Sequence, residues 1–116
     1  STLRGWWEED FKQTQRYYNT ILGHYGATPA TATPELCEEV VRSHLHSNSI
    51  LCILSLQDWM SMDGKWRNPN VQEERINIPA NPRYYWRWRM HLTLEQLMKA
   101  ESLNEKIRSM IESTGR

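Results

Sequence analysis

At 116 residues the chain has room for one domain at most. Its 14 Lys and Arg balance its 14 Asp and Glu, so no summed field draws it toward a polyanion or a charged membrane surface. Six Trp and five Tyr are many for this length and call for either a core of large rings or a surface that stacks on planar or sugar ligands.

No signal peptide opens the chain, and the opening Ser1-Thr2-Leu3-Arg4 lacks Met, so a start inside a longer protein is expected. Leu3 to about Leu22 reads as one helix, with Glu8, Glu9 and Asp10 near its start, where the helix dipole favours acids. Gly23 and Gly26 end it, and the small, Pro-containing stretch 27–33 is a connector. Thr33-Pro34 then supplies an N-cap followed by Pro at the first helical position. Leu36, Cys37, Val40, Val41 and Leu45 carry an apolar stripe at helical spacing up to about His46.

Ser47-Asn48-Ser49 breaks that helix, and Ile50-Leu51-Cys52-Ile53-Leu54 follows as a short continuous apolar run, the pattern of a strand buried on both faces. It is the longest purely apolar run and far too short to span a bilayer. Cys37 and Cys52 are too few for a disulfide scaffold and fall on apolar faces, as reduced thiols do, so a cytoplasmic location is expected. Polar groups arrive abruptly after the strand as Gln57 and Asp58. Residues 63–91 are irregular, with Pro69, Pro79 and Pro82 among three Trp and two Tyr, and loops of this length and composition are usually functional. Two short helices close the chain, each opened by a capping box: Thr93-Leu94-Glu95-Gln96 and Ser102-Leu103-Asn104-Glu105. Leu94, Leu97 and Met98, then Leu103, Ile107, Met110 and Ile111, are their expected buried faces.

The reading is therefore mostly helical with one clear strand. A lone strand leaves its own N–H and C=O groups unpaired, at roughly 1–3 kcal/mol for each one buried. Helix, strand, helix is also the repeating unit of a helix-covered parallel sheet. The missing strands are then expected upstream in a longer chain, or in a second copy pairing through Ile50–Leu54. A third option is that strands lie within residues 63–91.

Two stretches carry a family resemblance. One is Ser1-Thr2-Leu3-Arg4-Gly5-Trp6-Trp7-Glu8-Glu9; the other is Glu74-Arg75-Ile76-Asn77-Ile78-Pro79, leading to Tyr85-Trp86-Arg87-Trp88-Arg89. Both resemble the 4-alpha-glucanotransferases (amylomaltases and disproportionating enzymes). In that family a His-Asp pair and a Thr-x-x-Gly-Trp segment follow barrel strand seven. Strand eight ends in Leu-Gln-Asp, as Leu56-Gln57-Asp58 stands here, and an Arg-(Met/Ile)-Asn-x-Pro loop leads to Trp-x-Trp-Arg. The run from Tyr84 to Glu95 is most similar to the long form of plant cytosol and some bacteria. The short bacterial form has Gly where this chain has Ala80.

The resemblance implies an α/β fold in which residues 1–116 are the C-terminal part of a (β/α)8 barrel: the helix after strand seven, strand eight with its long loop, and the closing helices. It implies retaining transfer of α-1,4-glucan segments between malto-oligosaccharide acceptors, without a cofactor. One carboxylate attacks the anomeric carbon, and a second acts as acid and then base; a third stabilises the transition state. In the family all three lie upstream of the position of Ser1, so no catalytic residue is expected in this chain, and alone it should be inert. The partners implied are the α-glucan and the rest of the barrel.

Ligands of such barrels meet the C-terminal ends of the strands, which singles out Gln57, Asp58 and Asn77 as candidate substrate-binding residues. Each also has a plainer reading. Asp58 could cap the next helix, Asn77 could be a turn residue bonding its own backbone, and Gln57 carries no signal beyond its position. Trp86 and Trp88 could form a sugar platform, but rings set between arginines more often pack a loop down, with Arg stacked on Trp. Trp6 and Trp7 read as anchors for the first helix. His24, His44, His46 and His91 have no zinc-like spacing, and His44 and His46 point to opposite sides of a helix.

Two other functions compete. A small carbohydrate-binding module would use Trp66, Trp86 and Trp88, but its sequence should alternate in strands, and this one does not. A single-strand nucleic-acid binder would use the aromatic and basic run Arg83–Arg89, but zero net charge argues against it.

Overall fold

A computed structural model describes residues 2–116; Ser1, the first residue of the opening motif, lies outside the described residues. The expected single N-terminal helix is two, α1 (Leu3–Glu9) and α2 (Phe11–Thr20). Asp10 divides them. Its φ of −127° and ψ of 74° are non-helical, and its carboxylate accepts from the Gln13 amide at 3.1 Å, capping α2. A short side-chain acceptor that competes with the helical ladder is a common cause of such a break. Gly23 and Gly26 then take φ of +73° and +84°, where a Cβ is disfavoured, and turn the chain out of α2.

Helix α3 (Pro34–Leu45) forms where the sequence places it. Thr33 Oγ1 accepts from the Leu36 amide at 3.2 Å, Pro34 occupies the first turn, and Leu36, Cys37, Val40, Val41 and Leu45 are all buried. This face is the centre of the core. Ala32 of the connector, Met60 and Met62, Ala100, Leu103 and Met110, and Trp7 complete the buried cluster. Their carriers are α1, the short helix α4 (Leu56–Met60) and the segment after it, and α6 (Glu101–Ser113). Trp7 packs edge-to-face with Trp6 and Tyr18, and its indole donates to the Pro29 carbonyl at 2.9 Å, which holds the 27–33 connector onto α1. At the far end of α3, Arg116 donates to the carbonyls of Leu45, Ser47 and Ser49, satisfying acceptors left free where a helix stops.

The strand expected at Ile50–Leu54 is not formed. No strand occurs among the described residues, 63–91 included, where the regular element is a 3-10 turn over Val71–Glu74. Residues 50–54 make no backbone–backbone hydrogen bond among the described residues. Ile50 and Ile53 are 95% and 88% exposed, and Leu51 is exposed as well. The physical reason is the one that makes a lone strand unstable: among the described residues nothing else offers an edge to pair with, so the segment stays unpaired, with Cys52 and Leu54 turned to the core and the other three side chains to solvent. The described chain is therefore helical, with no sheet and no barrel strand of its own.

Of the two C-terminal capping boxes, the first is present. In α5 (Leu94–Met98), Thr93 Oγ1 accepts from the Gln96 amide at 3.1 Å and Gln96 Oε1 accepts from the Thr93 amide at 2.8 Å. The second is not. The helix begins earlier, with Ala100 at its cap position, so Ser102 lies inside α6, and the Asn104 side chain donates instead to the Leu97 carbonyl. Burial of Leu103 and Met110, with Ile107 and Ile111 partly covered, follows the expected face, whereas Leu94 and Met98 are exposed. Among the described residues no helix is long and apolar enough to cross a membrane.

Candidate functional site

Helix α4 is capped by Ser55, whose Oγ accepts from the Asp58 amide at 3.2 Å. That cap turns Gln57 and Asp58 onto the first turn of a helix rather than the end of a strand. Asp58 does not cap its own helix. Its Oδ1 accepts from the Leu3 amide at 2.9 Å, so it serves a free donor at the start of α1. Gln57 is only 4% exposed, and its buried Nε2 has no hydrogen-bond partner among the described residues. An orphaned buried amide of this kind costs about 1–3 kcal/mol unless something meets it.

The loop that returns to these residues is held on α1 at two points. The Arg4 guanidinium donates through one nitrogen to Glu74 Oε1 and to the Asn68 carbonyl, each at 2.6 Å, and the Thr2 hydroxyl donates to Glu74 Oε2 at 3.1 Å. Arg4 and Glu74 are 5% and 3% exposed, so this is a fully buried pair. Burial pushes the Glu74 carboxyl above its ordinary range, while the Arg4 charge and the bonds from Arg4 and Thr2 pull it back. At the other end of α1, Glu9 pairs with Arg75. Between them these contacts set the height of the residues that follow Glu74, including Asn77.

The result is a cleft of about 260 Å³ lined by Thr2, Ser55, Gln57, Asp58, Ile76, Asn77 and Pro79. All three candidates from the sequence, 57, 58 and 77, meet there. Asn77 is exposed and does not bond its own backbone; its Oδ1 accepts from the Trp86 indole at 2.9 Å. A neighbouring hollow of about 350 Å³ shares Thr2 and Asp58, but Leu3, Trp6, Val40, Val41 and Leu54 make most of its wall, which suits packing better than a polyol.

Sequence reasoning missed Thr2 and Ser55 as lining residues, and it missed the Arg4–Glu74 pair. The signal was available, because Arg4 and Glu74 stand in the two stretches that carry the family resemblance, and opposite charges in two such stretches are natural partners. The packing role expected for Trp86 is not seen. Its ring is 76% exposed, and the guanidinium stacking nearby is Arg87 over Tyr85, at 4.9 Å. Trp66 and Trp88 are partly covered, so the three rings do not form a common exposed platform.

Chemically, the cleft is lined by two amides, two hydroxyls and one carboxylate. That set can hold sugar hydroxyls. Retaining transfer needs two carboxylates flanking the bond, and Asp58 is the one acid lining this cleft.

A family model described as 4-alpha-glucanotransferase matches residues 1–94. A protein of Oryza sativa subsp. japonica named 4-alpha-glucanotransferase DPE2 is 38% identical over 116 residues, covering 100% of this chain. The chain spans 12% of the length of that curated relative. No solved structure matches the chain.

Proposed function

The chain belongs to the 4-alpha-glucanotransferase family, and we propose that it is the C-terminal part of a catalytic barrel that transfers α-1,4-glucan segments between malto-oligosaccharides. In this reading residues 1–116 supply one wall of the substrate groove. Gln57, Asp58 and Asn77 hold sugar hydroxyls, and the nucleophile, the acid/base and the stabilising carboxylate come from chain upstream of Ser1. The mechanism is retaining: one carboxylate attacks the anomeric carbon and the glycosidic bond breaks as the other protonates the leaving oxygen; an acceptor hydroxyl, deprotonated by that second carboxylate, then resolves the glycosyl–enzyme intermediate and frees the first. No cofactor takes part.

The observation that carries the proposal is the convergence of Gln57, Asp58 and Asn77 on one cleft in a chain of this family. Two features fit it further. Gln57 borders the cleft beside Asp58, and the exposed Ile50, Leu51 and Ile53 are apolar surface that neighbouring barrel strands would cover. In the isolated chain the same segment would pair two copies. Free thiols at Cys37 and Cys52 suit a cytoplasmic enzyme.

Glucose release from maltotriose tests the proposal. A protein that continues this chain upstream through the full barrel should disproportionate the trisaccharide, and the 116-residue chain should not. In the longer protein, Asn77→Ala should raise KM about tenfold, the loss of one well-placed hydrogen bond to substrate. A long protein inactive on every α-glucan would refute the reaction; an unchanged KM in Asn77→Ala would refute the site.

A further inference from the structure

Between residues 75 and 86 the loop doubles back on itself through two side-chain rungs. The Tyr84 hydroxyl donates to the Arg75 carbonyl at 3.1 Å, and the Trp86 indole donates to Asn77 Oδ1 at 2.9 Å. The first rung ends on a backbone carbonyl and the second on a side chain, and the Arg87 amide donates to the Tyr85 carbonyl at 2.8 Å, closing a tight turn centred on Trp86. Trp86, at the centre of that turn, reaches Asn77 with its indole N–H while most of its side chain is left to solvent.

The chemistry of that contact is directional. An indole N–H can only donate, so the amide atom facing it must be the oxygen. With Oδ1 held by the indole, the Asn77 amide is fixed in orientation: Oδ1, with one lone pair still free, faces Trp86, and Nδ2, with two N–H donors, is the end turned away from it. A sugar hydroxyl both donates and accepts, so an unoriented amide would take it either way round and select little. A fixed Nδ2 demands an oxygen lone pair at one place, in the cleft that also holds the Asp58 carboxylate, an acceptor for hydroxyl O–H groups.

We propose that Trp86 is a positioning residue: it locks the Asn77 side-chain amide so that Nδ2 donates to a hydroxyl of the α-glucan. The inference rests on Asn77 contacting substrate. It gives Trp86 a role distinct from a stacking platform, in which the ring face would carry the sugar, and from loop packing, in which the ring would be covered.

The test is steady-state kinetics on maltotriose with the full-length enzyme that contains this chain, using Trp86→Phe, Trp86→Ala, Asn77→Ala, Asn77→Asp and the double variant Trp86→Phe/Asn77→Ala. Phe keeps the ring and removes only the N–H. Trp86→Phe is expected to raise KM roughly 3- to 10-fold, with kcat changed less, as for one lost hydrogen bond. Trp86→Ala should be no worse than Phe, and in the Asn77→Ala background Trp86→Phe should change nothing further, the non-additivity of groups that act as a unit. Asn77→Asp still accepts from Trp86 but has lost the donor, so it should raise KM as Asn77→Ala does; it serves equally if the Trp86 variants do not fold. A normal KM in Trp86→Phe with a raised one in Trp86→Ala would overturn the proposal in favour of stacking. Additive effects, a fall in Tm with no change in KM, or a harmless Asn77→Asp would overturn it as well. If Asn77→Ala itself leaves KM unchanged, the substrate role of Asn77 fails first, and the role of Trp86 falls with it.

Discussion

Truncating Glu74 to alanine isolates what the buried ion pair contributes. The substitution removes the 2.6 Å bond from Arg4 and the 3.1 Å bond from Thr2 in one step. It leaves a guanidinium that is 5% exposed with the Asn68 carbonyl as its remaining acceptor. Breaking one partner of a buried pair costs about 3–5 kcal/mol, because the other charge stays desolvated. Against a total of ~5–15 kcal/mol for an ordinary domain, that is a large fraction. Glu74→Gln keeps an oxygen for Arg4 and should cost less, on the order of 1 kcal/mol, the gap between hydrogen bonds to charged and to neutral groups. The double variant Arg4→Met/Glu74→Leu should cost less than Glu74→Ala, since it leaves no charge buried without a partner. Urea unfolding of the 116-residue chain, followed by tryptophan fluorescence, would read this order from the midpoints at constant m. A cost below about 1 kcal/mol for Glu74→Ala, the worth of a surface pair, would show that water reaches Arg4 and would refute the reasoning.

The pH dependence of stability should contain two opposite contributions. Glu38 is desolvated, which alone would raise its carboxyl, but hydrogen bonds and charge from Lys106 and Arg42 outweigh that and hold it below its ordinary 4.5. Its contribution is therefore present above about that value and lost as pH falls through the folded pKa, and Glu38→Gln should flatten the acid limb of the stability curve. Glu74, raised by burial, behaves the other way: its contribution is complete below 4.5 and lost as pH rises through the folded value, and Glu74→Gln should remove that loss. Among the thiols, Cys37 is fully buried and burial holds its pKa up, so under native conditions a disulfide reagent should label the half-buried Cys52 first and Cys37 at the rate of unfolding; equal labelling rates would contradict the packing of α3. Exposed Ile50, Leu51 and Ile53 should make the isolated chain self-associate with concentration, and Ile53→Asp should shift sedimentation toward monomer; a wild-type chain that stays monomeric at every concentration would refute that.

Some of this protein is written into short stretches of sequence. Thr33-Pro34 and the stripe from Leu36 to Leu45 specify α3, because cap, first-turn proline and buried face all lie within a dozen residues and need no distant partner. The capping box at Thr93 forms for the same reason. The family, too, is legible in local order: Thr2 to Glu9 near the start, and Glu74 to Pro79 with Tyr85 to Arg89 later. What tertiary structure decided are matters of competition and partnership. Asp10 could have continued a helix or capped one, and packing of Trp7 between Trp6, Tyr18 and the 27–33 connector accompanies the second choice. Ser102 carries a good box, but α6 begins before it. Ile50–Leu54 has the composition of a buried strand but is unpaired, with Ile50, Leu51 and Ile53 in solvent and Cys52 and Leu54 against the core, since strand pairing needs a second edge that periodicity within one segment cannot supply. The cleft shows the same division. Gln57, Asp58 and Asn77 are visible as residues, yet their meeting depends on the Arg4–Glu74 contact, 70 positions apart, and on an indole nine residues away that turns one amide. Side-chain hydrogen bonds over such separations leave no periodic trace, and only the folded chain brings their donors to their acceptors.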